Sequence, residues 1–110
     1  MDERERRIGE NEALFREVNE RVEGLNRSLA TLSKRMKVVC ECGSQDCLEQ
    51  IDLGLDEYER VRANPALFVV KPGHELPEAE DVVDRTERYY TVQKHPGGPA
   101  QLARQTDPRH

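Results

Sequence analysis

From Ile8 onward apolar side chains recur every seven residues in two interleaved registers, Ile8, Phe15, Val22, Leu29 and Met36 in one and Val18, Leu25 and Leu32 in the other. A 3.5-residue period is that of the a and d positions of a coiled coil. With no proline to interrupt it, the pattern predicts one long helix over residues 2–36. Asn11 breaks the d series, and a polar residue on a seam sets register or partner number at some loss of stability. Gly24 falls at an outward c position, where it costs about 1 kcal/mol relative to alanine and leaves the seam intact. The flanking e and g positions include Glu12, Arg21 and Arg35 but also Asn19, Asn26, Ser28 and Ser33, so ion pairs are not the main specifier of partner.

At about 1.5 Å per residue such a helix would reach on the order of 50 Å, more than the rest of the chain could cover. Each seam residue left in water would forgo roughly 1.5 to 3 kcal/mol of burial. The seam is therefore expected to pair with a second copy of the chain or with a helix of another protein. The competing reading packs part of the helix back onto its own domain.

The pattern changes after residue 36. Val38-Val39 leads as a strand into Cys40, and Leu48 to Leu53 reads as its antiparallel partner across a cysteine-containing turn, with Ile51 and Leu53 alternating with polar neighbours. Leu55, Tyr58 and Val61 mark a short amphipathic helix that Asn64-Pro65 ends. Leu67 to Val70 is a buried strand stopped by Pro72-Gly73. Pro77 suits the first turn of another short helix, with Glu78, Glu80 and Asp81 near its positive end and Ala79, Val82 and Val83 facing inward. Tyr89 to Lys94 reads as a final strand with one tyrosine in the core. The expected fold is α+β: a coiled-coil-like helix over 2–36, a small mixed unit over 37–94, and a mobile tail over 95–110.

Composition sharpens this division. The 110 residues are 35% hydrophobic, 35% charged and 5% aromatic, lean for a self-sufficient core. The net charge of -5 is uneven: residues 39–94 carry six Lys/Arg against thirteen Asp/Glu, while the helix and the tail are each nearly neutral. An acidic unit lacks the basic face from which nucleic-acid binding draws its affinity. No apolar run approaches the roughly 20 residues that span a bilayer, and the opening Met-Asp-Glu-Arg-Glu-Arg-Arg is unlike an export signal. A soluble, cytoplasmic protein is expected.

All three cysteines, Cys40, Cys42 and Cys47, lie within eight positions. An odd, clustered set without an export signal fits metal ligation better than a disulfide framework. His74 follows the Leu67–Val70 strand and would complete a Cys3His set, one of the common structural zinc sites. His95 opens the tail and His110 ends it; Asp46 or Glu41 could stand in as the fourth ligand. For both thiols of the Cys-x-Cys pair to reach one metal, the chain is expected to leave strand geometry between Glu41 and Gly43, where Gly43 permits a positive φ. A unit of about 55 residues rarely folds alone. A structural zinc supplies ~10 kcal/mol or more of binding free energy coupled to folding.

The helical run Asn11-Glu12-Ala13-Leu14-Phe15-Arg16-Glu17-Val18-Asn19-Glu20-Arg21, together with Cys40-x-Cys42-x4-Cys47, Glu57-Tyr58-Glu59-x-Val61-Arg62, Pro65, Phe68-Val69-Val70 and Gly73-His74-Glu75, resembles a family of short actinobacterial-type proteins of unknown function. The resemblance spans nearly the whole chain. It implies that helix and cysteine unit form one protein, with Cys40, Cys42, Cys47 and His74 in the family's motif, and it carries no activity with it.

Three thiolates make a metal a poor Lewis acid, and the chain has no His-Glu-x-x-His, phosphate loop or nucleophile elbow. The expected function is therefore a non-enzymatic, zinc-binding adaptor or regulator acting through protein-protein contacts. The alternatives are a redox- or metal-responsive switch built on the thiols and, against the acidic charge, a zinc-ribbon-like nucleic-acid binder.

Overall fold

A computed structural model describes residues 3–28, 34–44 and 46–109. The elements run α1 (Glu3–Ser28), β1 (Arg35–Val39), β2 (Gln50–Gly54), α2 (Leu55–Arg62), β3 (Leu67–Val70), β4 (Glu80–Arg85), β5 (Tyr90–Lys94) and α3 (Gly98–Gln105), an α+β arrangement. β1 and β2 form an antiparallel hairpin with Met36 opposite Leu53 and Val38 opposite Ile51. β3, β5 and β4 form a second antiparallel sheet in that order. The inward residues of both sheets meet Tyr58 and Val61 of α2 and Tyr89 in one core. The backbone bond from Glu41 N to Val69 O, at 2.9 Å, ties the hairpin's extension to β3. No helix among the described residues is long and apolar enough to cross a membrane.

Three expectations give way. The helix does not reach Met36: α1 is described over Glu3–Ser28, and Met36 lies in β1 with its side chain buried; seam positions Leu29 and Leu32 lie outside the described residues. The segment expected as a helix from Pro77 to Val83 is instead a turn followed by β4. There Val82 pairs with Val92 ahead of a β-bulge at Val83, and β-branched residues suit a pleated surface better than a helix. The segment expected as a mobile tail holds α3. Its small Ala100 and Ala103 are buried, and Gly9 of α1 leaves the space that Leu102 occupies.

The largest departure concerns α1. A radius of gyration of 13.2 Å is about that of a single domain of this length, because α1 lies along its own domain rather than projecting from it. The face it buries is polar: Glu12, Arg16, Asn19 and Glu23 are each 5% exposed or less. Their spacing of four, three and four residues is helical, so they form one row. Ile8, Phe15 and Val22 of the a register are half-buried beside that row, while Leu14, Val18 and Leu25 point outward at 56%, 40% and 65% exposure.

Each buried polar residue has a structural reason. Arg16 stacks over the Phe68 ring, 4.4 Å from its centroid, and donates to the carbonyls of Pro65 and Ala103, both at 2.6 Å. Asn19 pairs with both backbone groups of Val39 at 2.8 Å, as a neighbouring strand would. Glu12 meets Lys94 at 2.6 Å, and Lys94 also meets Glu80 at 2.8 Å. At the far end Arg109 bridges Glu20, Glu23 and Glu59, while buried Arg62 joins Glu20 to Asp107. The chain's C-terminal residues are thereby held between α1 and α2.

Two carboxylates around one ammonium leave an excess negative charge, and burial pushes Glu12 from 4.5 up to about 8. Between those values the fold holds a proton that the unfolded chain has lost, so this contribution to stability is fully present below pH 4.5 and disappears as pH rises through 8. Glu23, raised to about 7 by burial and by Glu59, acts with the same sign. Glu59, held down at about 2 by Arg109, acts in the opposite sense and only at acid pH. Glu12→Gln should therefore flatten the decline: in urea titrations at pH 5 and pH 8.5, the variant should gain on the unmutated protein by roughly 1 to 3 kcal/mol over that interval. Parallel curves for the two proteins would contradict a proton on Glu12.

Candidate metal centre

Cys40 continues β1, with its amide donating to Glu49 O at 2.9 Å across the end of the hairpin. In an extended chain residues two apart project to the same side, so Cys40 and Cys42 reach the site together and Glu41 between them points the opposite way. The expectation that the chain leaves strand geometry between Glu41 and Gly43 holds: β1 ends at Val39 and the backbone bends into a turn at Cys42. Gly43 makes it, at φ +82°. A side chain there would collide with Ile8 and with the Glu12 side chain, because α1 crosses the turn at this residue. Asn11, expected as a register-setting seam residue, instead donates to Gly43 O at 3.0 Å. The turn brings Cys47 back, its amide bonded to Ser44 O at 3.2 Å.

His74 arrives from the other sheet. After β3 a turn closed by His74 N to Lys71 O at 2.9 Å, with Gly73 at φ +90°, aims the imidazole at the thiols. The ligand atoms of Cys40, Cys42, Cys47 and His74 all lie within 4.8 Å of one another. His74 Nδ1 is 3.6 Å from the sulfurs of both Cys40 and Cys47. A tetrahedron with Zn–S near 2.3 Å and Zn–N near 2.0 Å has sulfur-nitrogen edges of about 3.6 Å, so the four residues fit a metal of that size. His95 lies elsewhere, 3.2 Å from Asp81.

The surroundings suit thiolates. Lys71 N donates to Cys40 Sγ at 3.2 Å, and the amides of Ser44 and Glu49 serve Cys42 and Cys47. The three thiols also hydrogen-bond to one another. A hydrogen bond from Cys40, aided by the Ser44 amide and His74, brings Cys42 down to about 4. Its counterpart Cys40 is raised by that same hydrogen bond and by burial, and Cys47 is raised by burial. A cation is the natural replacement for the protons retained.

Two carboxylates complete the site. Glu49 Oε2 lies 3.2 Å from His74 Nε2, which holds the proton on Nε2 and turns the Nδ1 lone pair toward the sulfurs. Glu41 is buried on the core side. Its carboxylate accepts from Asn19 at 2.8 Å, Tyr58 at 2.9 Å and the Val69 amide at 3.0 Å, so it anchors the ligand-bearing segment and coordinates nothing. Its three donors leave it no role as the fourth ligand. Exposed Asp46 stands outside the cluster. Sequence reasoning missed Glu49 and the anchoring role of Glu41. The available signal was the alternation itself, which puts the middle residue of Cys-x-Cys opposite the thiols.

Comparison of the chain with family models, with curated proteins and with solved structures finds no match. What the centre does is therefore argued from its own chemistry.

If Glu49 orients the ring, Glu49→Gln should weaken metal binding by about 10- to 100-fold in a competition with a chromophoric chelator, with the far-ultraviolet circular dichroism of the loaded protein unchanged. Equal affinities would remove Glu49 from the site.

Proposed function

We propose that the protein is a non-enzymatic zinc protein in which Cys40, Cys42, Cys47 and His74 form a closed structural site and the surrounding acidic domain serves as a scaffold for protein-protein contact. The observation that carries this reading is the convergence of three thiols and one imidazole nitrogen to within 4.8 Å of one another, from the segments that follow β1 and β3. Zinc suits the set because it is borderline-soft and takes four such ligands without a redox change. With all four positions supplied by the chain and three of them thiolates, the metal is electron-rich and has no vacant position for a substrate, so its contribution is architectural.

The site staples β1 and the turn of residues 43–47 to the segment after β3, and its metal adds its binding free energy to folding. Three free thiols require a reducing compartment, and the cytoplasm is the location proposed. Around the outer side of the centre runs an open groove that includes Asp46, Glu49 and Glu75 together with Leu48, which is 75% exposed. An acidic rim with one protruding leucine suits a basic, partly apolar protein segment better than nucleic acid.

Elemental analysis of protein purified without chelator should give one equivalent of zinc, and Cys47→Ser should lose most of it. Less than about half an equivalent in the unmutated protein, after incubation with zinc and removal of the excess, would overturn the reading.

A further inference from the structure

The first helix carries two faces suited to different partners, and only one of them is satisfied when it lies on its own domain. The buried row of Glu12, Arg16, Asn19 and Glu23 is polar, and Glu12 Oε1 and Arg16 Nε are buried without a hydrogen bond among the described residues. The seam of Ile8, Phe15 and Val22 with Val18 and Leu25 is half-covered on one register and exposed on the other. Docking therefore strands part of the seam in water and part of the polar row out of it. A helix that pairs through its seam reverses both.

The heptad pattern fits a second copy in parallel register, and one charge pair favours it. With Ile8, Phe15 and Val22 at a, Arg7 falls at g and Glu12 at the following e, the pair of positions that face each other across a parallel two-stranded coiled coil. Both sides of a homodimer then gain an Arg7–Glu12 pair. The next pairs, Leu14 with Asn19 and Arg21 with Asn26, bring no like charges together. In the sequence the register continues through Leu29 and Leu32. Docking and pairing exclude each other, because Glu12 is committed to Lys94 in the docked helix and Ile8 packs against Gly43.

The choice between them is tied to the metal centre. Asn11 bonds Gly43 O, Asn19 bonds Val39 and Glu41, and Ile8 and Glu12 pack on Gly43. All these contacts land on residues 39–43, the segment that carries Cys40 and Cys42. Resting on the reading of that cluster as a metal site, we infer that α1 exchanges partners with metal occupancy: it docks on the metal-loaded domain as a monomer and, when the metal is withdrawn, releases to form a parallel coiled coil with a second copy.

The test is sedimentation velocity at tens of micromolar on zinc-loaded and chelator-stripped full-length protein under reductant, with zinc content measured on the same samples. The loaded protein should sediment as a 12.7 kDa monomer and the stripped protein as a dimer. Val18→Glu and Leu25→Glu, at exposed seam positions, should leave the loaded monomer and its zinc content unchanged and abolish the stripped dimer. Cys47→Ser, metal-poor by a different route, should dimerise without chelator. A stripped protein that stays monomeric, a dimer in both states, or association indifferent to both seam substitutions would each overturn the exchange while leaving the metal site standing. Failure to bind zinc at all would overturn both.

Discussion

The structure depends on the direction in which three consecutive side chains point. Along Cys40-Glu41-Cys42 the backbone sends two thiols to one side and a carboxylate to the other. The thiols meet Cys47 and His74. The carboxylate meets Asn19 of α1, Tyr58 of α2 and the Val69 amide of β3. One short segment therefore couples the ligand cluster to every layer of the fold. Burial raises the carboxyl of Glu41, and a buried carboxylate is tolerable only when its lone pairs are used. Three donors from three elements do so, and in doing so they fix where the thiols stand.

The same economy explains how a chain with so few aromatic residues holds a helix of 26 residues against itself. Apolar burial alone does not supply that interface, since the row beneath α1 is Glu12, Arg16, Asn19 and Glu23. What replaces it is specificity: Asn19 completes the end of β1, Arg16 ties the loop before β3 to α3 while covering Phe68, and Arg109 and Arg62 fasten the C-terminal residues to α1 and α2. Buried pairs of this kind add little net stability over apolar contacts, yet removing one partner leaves an uncompensated group and is strongly destabilising. An interface so built has one register and tolerates no slippage.

Much of this was legible in the residues, and the failures share a cause. The β1–β2 hairpin, α2, β3, β5 and the Cys3His cluster follow from local rules: alternation, a proline stop, a glycine turn and ligand chemistry. The helix at residues 77–83 was misread because its acidic first turn and inward Ala79 suit a helix, whereas β-branched Val82 and Val83 and pairing with β5 decide for a strand. The polar row by which α1 packs on its own domain was missed because counting apolar positions finds Ile8, Phe15 and Val22 and passes over Glu12, Arg16, Asn19 and Glu23, which recur with the same helical period. Asn11 was assigned to a seam when its partner, Gly43 O, lies thirty-two residues away. Periodicity identifies a face. It does not say whether that face meets a second chain or solvent when another face of the same helix has better partners at home.

A domain of this size with a polar helix interface and a metal cluster is also one whose parts fail together. Gly43 has a left-handed conformation for the cysteine turn and no side chain for the passage of α1, so it serves the ligand geometry and the helix contact at once. The acceptor for Asn11 and the surface for Ile8 therefore lie on the residue that follows Cys42 directly. Elsewhere α1 meets Phe68, Lys94 and Arg62, but its contacts to the cysteine segment are those of Ile8, Asn11, Glu12 and Asn19. The ligand cluster and the first helix therefore share one segment, residues 39–43, whose two sides each constrain the other.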